Sequence, residues 1–125
     1  MVESIIERNK EVPTMTLSNH FMVERMERMI YIGMNIGYGE IVFTYLDKRD
    51  NRRYCLTTTG LLEVLAPDED ILITAFPCDV KRAYALSRMA GMDHIPPQVF
   101  RAVQNNDAHI RAICLFEGKN YHDFR

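Results

Sequence analysis

His20 stands in the run Leu17, Ser18, Asn19, His20, Phe21, with Arg25 and Arg28 following closely. Histidine exchanges a proton near neutral pH, and arginine grips phosphate with a permanent, fork-shaped charge. A proton carrier beside a phosphate clamp is what cleavage of a phosphate ester needs. Geometry sets a condition on the pair. Within one helix His20 and Arg25 point about 140° apart, so they converge only if His20 lies in the cap, while Arg28 is about 80° from His20. The same residues also read as a capping histidine on an ordinary solvated helix, with Glu24 and Arg28 as an i, i+4 ion pair.

A second chemical stretch is Lys48, Arg49, Asp50, Asn51, Arg52 and Arg53, which holds four positive charges and one negative, with Tyr54 next. Cations beside an aromatic ring suit single-stranded nucleic acid, through phosphate attraction and base stacking. A charged hairpin tip that keeps a sheet edge soluble reads the same way. Thr57, Thr58, Thr59 and Thr74 offer hydroxyls to phosphate oxygens, although β-branched residues also simply fill strands. The sequence holds no HExxH, phosphate-binding P-loop, GxGxxG or nucleophile elbow. His20, His94, His109 and His122 lack metal-ligand spacing, so neither a metal nor another cofactor is expected.

The chain that must position these residues has 125 of them, 47% hydrophobic and 26% charged, the balance of one globular domain with its own core. Cys55, Cys78 and Cys114 are odd in number and widely spaced, which predicts buried thiols. No apolar run is long enough to span a membrane, and the first residues lack the pattern of an export signal. These features predict a cytoplasmic protein without a membrane partner. A net charge of −2 argues against a broadly basic nucleic-acid binder, so RNA binding needs a local patch.

Hydrophobic periodicity predicts an α+β fold: an N-terminal helix, a four-stranded antiparallel meander sheet and two C-terminal helices. Residues 1 to 14 read as a polar lead-in with one short helix over 4 to 10. Capping residues at 16 to 19 open the main helix, which runs to Ile32 and stops at Gly33. Its apolar stripe is Met22, Met26, Met29 and Ile30, opposite Glu24, Glu27 and Arg28. Strands follow at 40 to 47, 53 to 59, 61 to 65 and 71 to 76, with residues 48 to 52 as an exposed hairpin tip. Asp79 caps a helix reaching about Ala90, and Pro96 and Pro97 open another that ends at Asn105 and Asn106. Residues 108 to 116 lean to an edge strand, and the tail from Glu117 is peripheral. Met26, Ile30, Phe43, Leu56, Leu72, Tyr84 and Phe100 are the expected core.

The order of these pieces resembles the small nucleases grouped as barnase, EndoU, colicin-type tRNases and RelE-like toxins, especially phage-associated members. The residues that carry the likeness are SNHFMVERMERM, RRYCLTTTGLLEVL, ILITAF and DVKRAYALSR, spanning roughly residues 16 to 90. The resemblance implies helices packed on a four-stranded antiparallel sheet and RNA cleavage without metal. It implies that His20 matches the family's helix-start histidine and Arg25 its helix arginine. Arg53 or Tyr54 matches a basic or aromatic strand position, and Thr74 a hydroxyl on the last core strand.

The expected function is therefore a metal-independent endoribonuclease of toxin or phage type. His20, Arg25, Arg53 and Thr74 form the expected catalytic set, and Lys48, Arg49, Arg52 and Tyr54 the expected RNA contacts. The expected partners are RNA and an antitoxin or other protein. The alternative is a non-catalytic protein-binding or accessory module of mobile-element origin, which the near-neutral charge and scattered histidines also suit.

Overall fold

The computed structural model describes residues 16, 17 and 26 to 118. Its elements are β1 (Thr16–Leu17), α1 (Met26–Asn35), β2 (Ile41–Asp47), β3 (Arg52–Thr57), β4 (Leu61–Leu65), β5 (Ile71–Pro77), α2 (Val80–Met89), α3 (Pro97–Gln104) and α4 (Asp107–Glu117). Short connections make β2 to β5 an antiparallel meander, as the sequence predicts. β1 adds a parallel pairing beside Ile71 and Leu72, giving the order β1-β5-β4-β3-β2. Thr16 and Leu17 are thus strand, where the sequence suggests a helix cap. The expected helix over 4 to 10, together with His20, Met22 and Arg25, lies outside the described residues.

Strand pairing places Tyr45, Tyr54, Val64 and Thr74 in one row across the sheet, with Phe43, Leu56, Leu62 and Phe76 in the next row of that face. Ala83 and Leu86 of α2, with Val99 and Val103 of α3, pack there. The opposite face carries Cys55, Leu61, Leu65, Leu72 and Ala75 against Met29 and Ile32 of α1 and Ile113 of α4. Helices on both faces bury every residue of β4, including Glu63. Cys55, Cys78 and Cys114 are buried thiols. No helix among the described residues is long and apolar enough to cross a membrane.

Several sequence expectations are corrected. Met26, Ile30 and Tyr84 are 39%, 52% and 42% exposed. The buried arc of α1 is Arg28, Met29, Ile32 and Gly33 instead. A stripe of methionines cannot say which arc a sheet will cover, and here a charge changes the answer. Arg28 is buried because its Nε and Nη2 donate to the two carboxylate oxygens of Glu117, at 2.6 and 2.5 Å. The helix continues through Gly33 and ends where Gly37, at φ 82°, closes back on the Ile32 carbonyl. Residues 108 to 116 are helix and not strand, so three helices follow the sheet. Ile110, Ile113 and Cys114 fall at i, i+3 and i+4, and all three are buried. Glu117, expected in a loose tail, is the last residue of α4.

One polar clamp ties the elements together. Gly60, at φ 81°, follows β3, and a Cβ there would lie 2.8 Å from Asn106 Nδ2. The buried Asn106 amide instead donates to the Gly60 carbonyl at 2.9 Å, joining the β3–β4 turn to the junction of α3 and α4.

Two outcomes follow for stability. Glu117→Ala strands a buried guanidinium, so chemical denaturation should show a loss of about 3 to 5 kcal/mol. His109 Nδ1 lies 2.6 Å from the Tyr31 hydroxyl, and partial burial lowers its pKa. Below the unfolded pKa of about 6.5 the unfolded chain binds the proton more readily, so stability should fall as pH drops through that value. His109→Gln should flatten this part of a melting-temperature profile.

Candidate nucleic-acid interface

The β2–β3 hairpin is shaped by its own acidic residues. Asp47 ends β2, and its carboxylate accepts from the Arg49 backbone at 2.9 Å and from Arg49 Nε and Nη2 at 3.2 and 2.9 Å. These bonds to Arg49 hold the Asp47 carboxyl below the usual range. Asn51 takes the left-handed conformation that closes the tip, at φ 57°. Asp50 accepts a short hydrogen bond from the Tyr54 hydroxyl. Burial first, and then this carboxylate, push the Tyr54 pKa up to about 12.

Between the hairpin and α2 lies a cleft of about 430 Å³. Alternation in the strands turns Tyr45 and Asp47 of β2, and Arg52 and Tyr54 of β3, toward it. Arg82, Leu86 and Met89 line the opposite wall from one stripe of α2. Asp79 caps that helix by accepting from the Arg82 backbone at 2.7 Å. The Arg82 guanidinium lies 5.1 Å from the centre of the Phe76 ring, within cation–π range. Leu62, Val64 and Phe76 make an apolar floor. Among the described residues that line the cleft, Arg49, Arg52 and Arg82 are the cations and Asp47 is the carboxylate. Such a cleft can hold a flat apolar ring with an anion at its rim.

The residues singled out in the sequence divide. Arg49, Arg52 and Tyr54 come together at the cleft, and Lys48 is exposed on the hairpin tip. Arg53 shares a row with Leu46 and Leu65, on the other face. Its guanidinium donates to the carbonyls of Ala66 and Glu69 at 2.8 and 2.7 Å, bracing the β4–β5 turn. Thr74 accepts from Arg28 Nη1 at 3.2 Å. Of the helix arginines, Arg28 therefore reaches the β5 hydroxyl, while His20 and Arg25 lie outside the described residues. Thr57, Thr58 and Thr59 serve the local fold: Thr59 Oγ1 donates to the Gly37 carbonyl at 2.8 Å, and Thr57 and Thr58 accept from the Leu61 and Glu40 amides. No group of three or more His, Cys, Asp or Glu among the described residues is arranged to hold a metal ion.

Sequence reasoning missed Tyr45 and Arg82. Tyr45 was legible as a strand residue in register with Tyr54 across a hairpin. Arg82 reads as the wet side of its helix, and only the packing of α2 on the sheet brings it to the rim.

The Tyr54 hydroxyl supplies a check on this geometry. Following phenolate absorbance against pH should reveal one tyrosine ionising near 12, and Asp50→Asn should move that titration toward the ordinary value of about 10. The native state holds this proton after the unfolded chain has lost it, so the associated stability should be present below about pH 10 and decline as pH rises toward 12.

Comparison with known proteins adds no assignment to this geometry: no protein-family model, curated protein or solved structure matches the chain.

Proposed function

We propose that this chain is a metal-independent endoribonuclease that binds its RNA at the hairpin and the adjoining cleft. The observation that carries the reading is the gathering of Arg49, Arg52, Arg82, Tyr45 and Tyr54 around one cleft of an otherwise mildly acidic protein. Arginines attract the phosphate backbone, and tyrosine rings accept bases by stacking. In the proposed reaction the 2′-hydroxyl of a nucleotide attacks its own 3′-phosphate. The bond to the next 5′-oxygen breaks, leaving a 2′,3′-cyclic phosphate and a 5′-hydroxyl. His20 removes the proton from the 2′-hydroxyl or delivers one to the departing oxygen. Arg25 stabilises the charge that builds on the phosphate. Arg53 and Thr74, which the resemblance would place on the phosphate, are engaged elsewhere: Arg53 braces the β4–β5 turn, and the Thr74 hydroxyl accepts from Arg28.

One observation favours a second reading, a non-catalytic module that binds another protein. Met26, Ile30 and Met34 recur every four residues on α1, and all are exposed. An antitoxin or other protein partner could cover that stripe in either reading.

Incubation of pure protein with total RNA separates the two. The endoribonuclease cuts RNA equally with and without EDTA and leaves 2′,3′-cyclic phosphate ends, while the binding module leaves the RNA intact. His20→Ala should lower cleavage by roughly 10² to 10⁴ fold with an unchanged melting temperature. A fully active His20→Ala protein would remove His20 from the reaction.

A further inference from the structure

We infer that the cleft between the hairpin and α2 seats one unstacked nucleotide, and that the chain consequently selects single-stranded over duplex RNA. This deepens the endoribonuclease reading and rests on it for the identity of the polymer.

The shape and lining of the cleft carry the argument. Its volume of about 430 Å³ lies at the small-ligand end of binding clefts, which run from roughly 300 to 1,000 Å³. Tyr45 and Tyr54 stand in register on neighbouring strands, and the Tyr54 ring is fixed by its hydroxyl bond to Asp50. A ring held in this way stacks on a base with little further ordering. Below them the floor is apolar, so the interior suits the face of a base and not a solvated phosphate. The cations stand at the walls. Arg52 comes from the hairpin and makes no salt bridge among the described residues. Arg82 comes from α2 and rests over Phe76. A base lowered between the walls places its flanking phosphates against both arginines.

A duplex presents the wrong surface to this site. Its bases are stacked and paired, and extracting one forfeits those interactions. A single strand can splay a base at much smaller expense, which is how proteins generally read unpaired RNA. Neither Arg82 nor Tyr45 belongs to the basic run of the hairpin, so the site is defined by packing and not by that run alone.

The test is equilibrium binding by fluorescence anisotropy. The probe is a labelled 2′-O-methyl hexauridylate, which has no free 2′-hydroxyl and is not cut. An abasic strand with the same backbone and a fully paired duplex are the comparisons. The single strand should bind at least roughly tenfold more tightly than the duplex. Tyr45→Leu should weaken the base-bearing strand by roughly tenfold and leave the abasic strand unchanged. Tyr45→Phe keeps the ring and should bind like the unaltered protein. Arg52→Gln and Arg82→Gln should each reduce the salt slope by about 0.7, whereas Arg88→Gln, on the exposed side of α2, should not. Equal affinity for duplex and single strand would overturn the inference. So would a Tyr45→Leu protein that loses both strands alike, or an Arg88→Gln protein as impaired as Arg82→Gln. Arg52 is exposed, so its variant keeps the test open if Tyr45→Leu fails to fold. Selective strand binding without cleavage of total RNA would reject the nuclease reading while upholding the cleft; cleavage without selective binding would do the reverse.

Discussion

Burial of β4 on both faces is the constraint from which the rest of the architecture follows. A strand in the middle of a sheet gives its backbone hydrogen bonds to two neighbours, here β3 and β5. Its side chains then alternate between two surfaces, and Leu61, Leu62, Val64 and Leu65 make both of them apolar. One helical layer could cover only half of that surface. The chain therefore sends α1 and α4 to one face and α2 and α3 to the other. The cleft opens on the second face, where α2 lies over the strands without filling the space above Tyr45 and Tyr54.

Two helical layers also force polar groups into dry places, and Arg28 and Asn106 are each handled by partners. Arg28 enters the first layer because Glu117 neutralises it and because the Thr74 hydroxyl and the Ala75 carbonyl accept from it. Breaking such a pair is far more damaging than never having buried it. Asn106 satisfies the Gly60 carbonyl where the β3–β4 turn meets the α3–α4 junction. Buried Glu63 acts at longer range: its charge adds to burial in raising the pKa values of Tyr38 and Cys55. A neutral phenol and a neutral thiol are the forms this environment favours.

The hairpin shows how a run of like charges is divided by strand geometry. Arg52 and Arg53 are adjacent, so their side chains leave opposite faces of β3. Arg52 goes to the cleft, and Arg53 goes to the carbonyls of the β4–β5 turn. Arg49 is drawn onto Asp47. The electrostatic character of the site comes from Arg52 and Arg82 across the cleft, with Lys48 at the tip, and not from the count of basic residues in the sequence.

The sequence by itself determined the elements whose signals are local. The alternation in the strands, the hairpin tip at residues 48 to 52, the Asp79 cap and the proline start of α3 all mark structure through interactions within a few residues. The tertiary structure decided everything that depends on which surface meets which. It buried Arg28 and exposed Ile30, because Met29 and Ile32 turn that arc of α1 to the core and Glu117, 89 residues on, supplies the carboxylate that lets Arg28 enter beside them. It kept residues 108 to 116 helical, because Ile110, Ile113 and Cys114 meet the core only at helical spacing. It sent Arg53 and Tyr54 to different faces and brought Arg82 to the rim. Periodicity records that a segment has an apolar side; only packing against a particular neighbour states where that side points, and a site assembled from five elements is made of such choices.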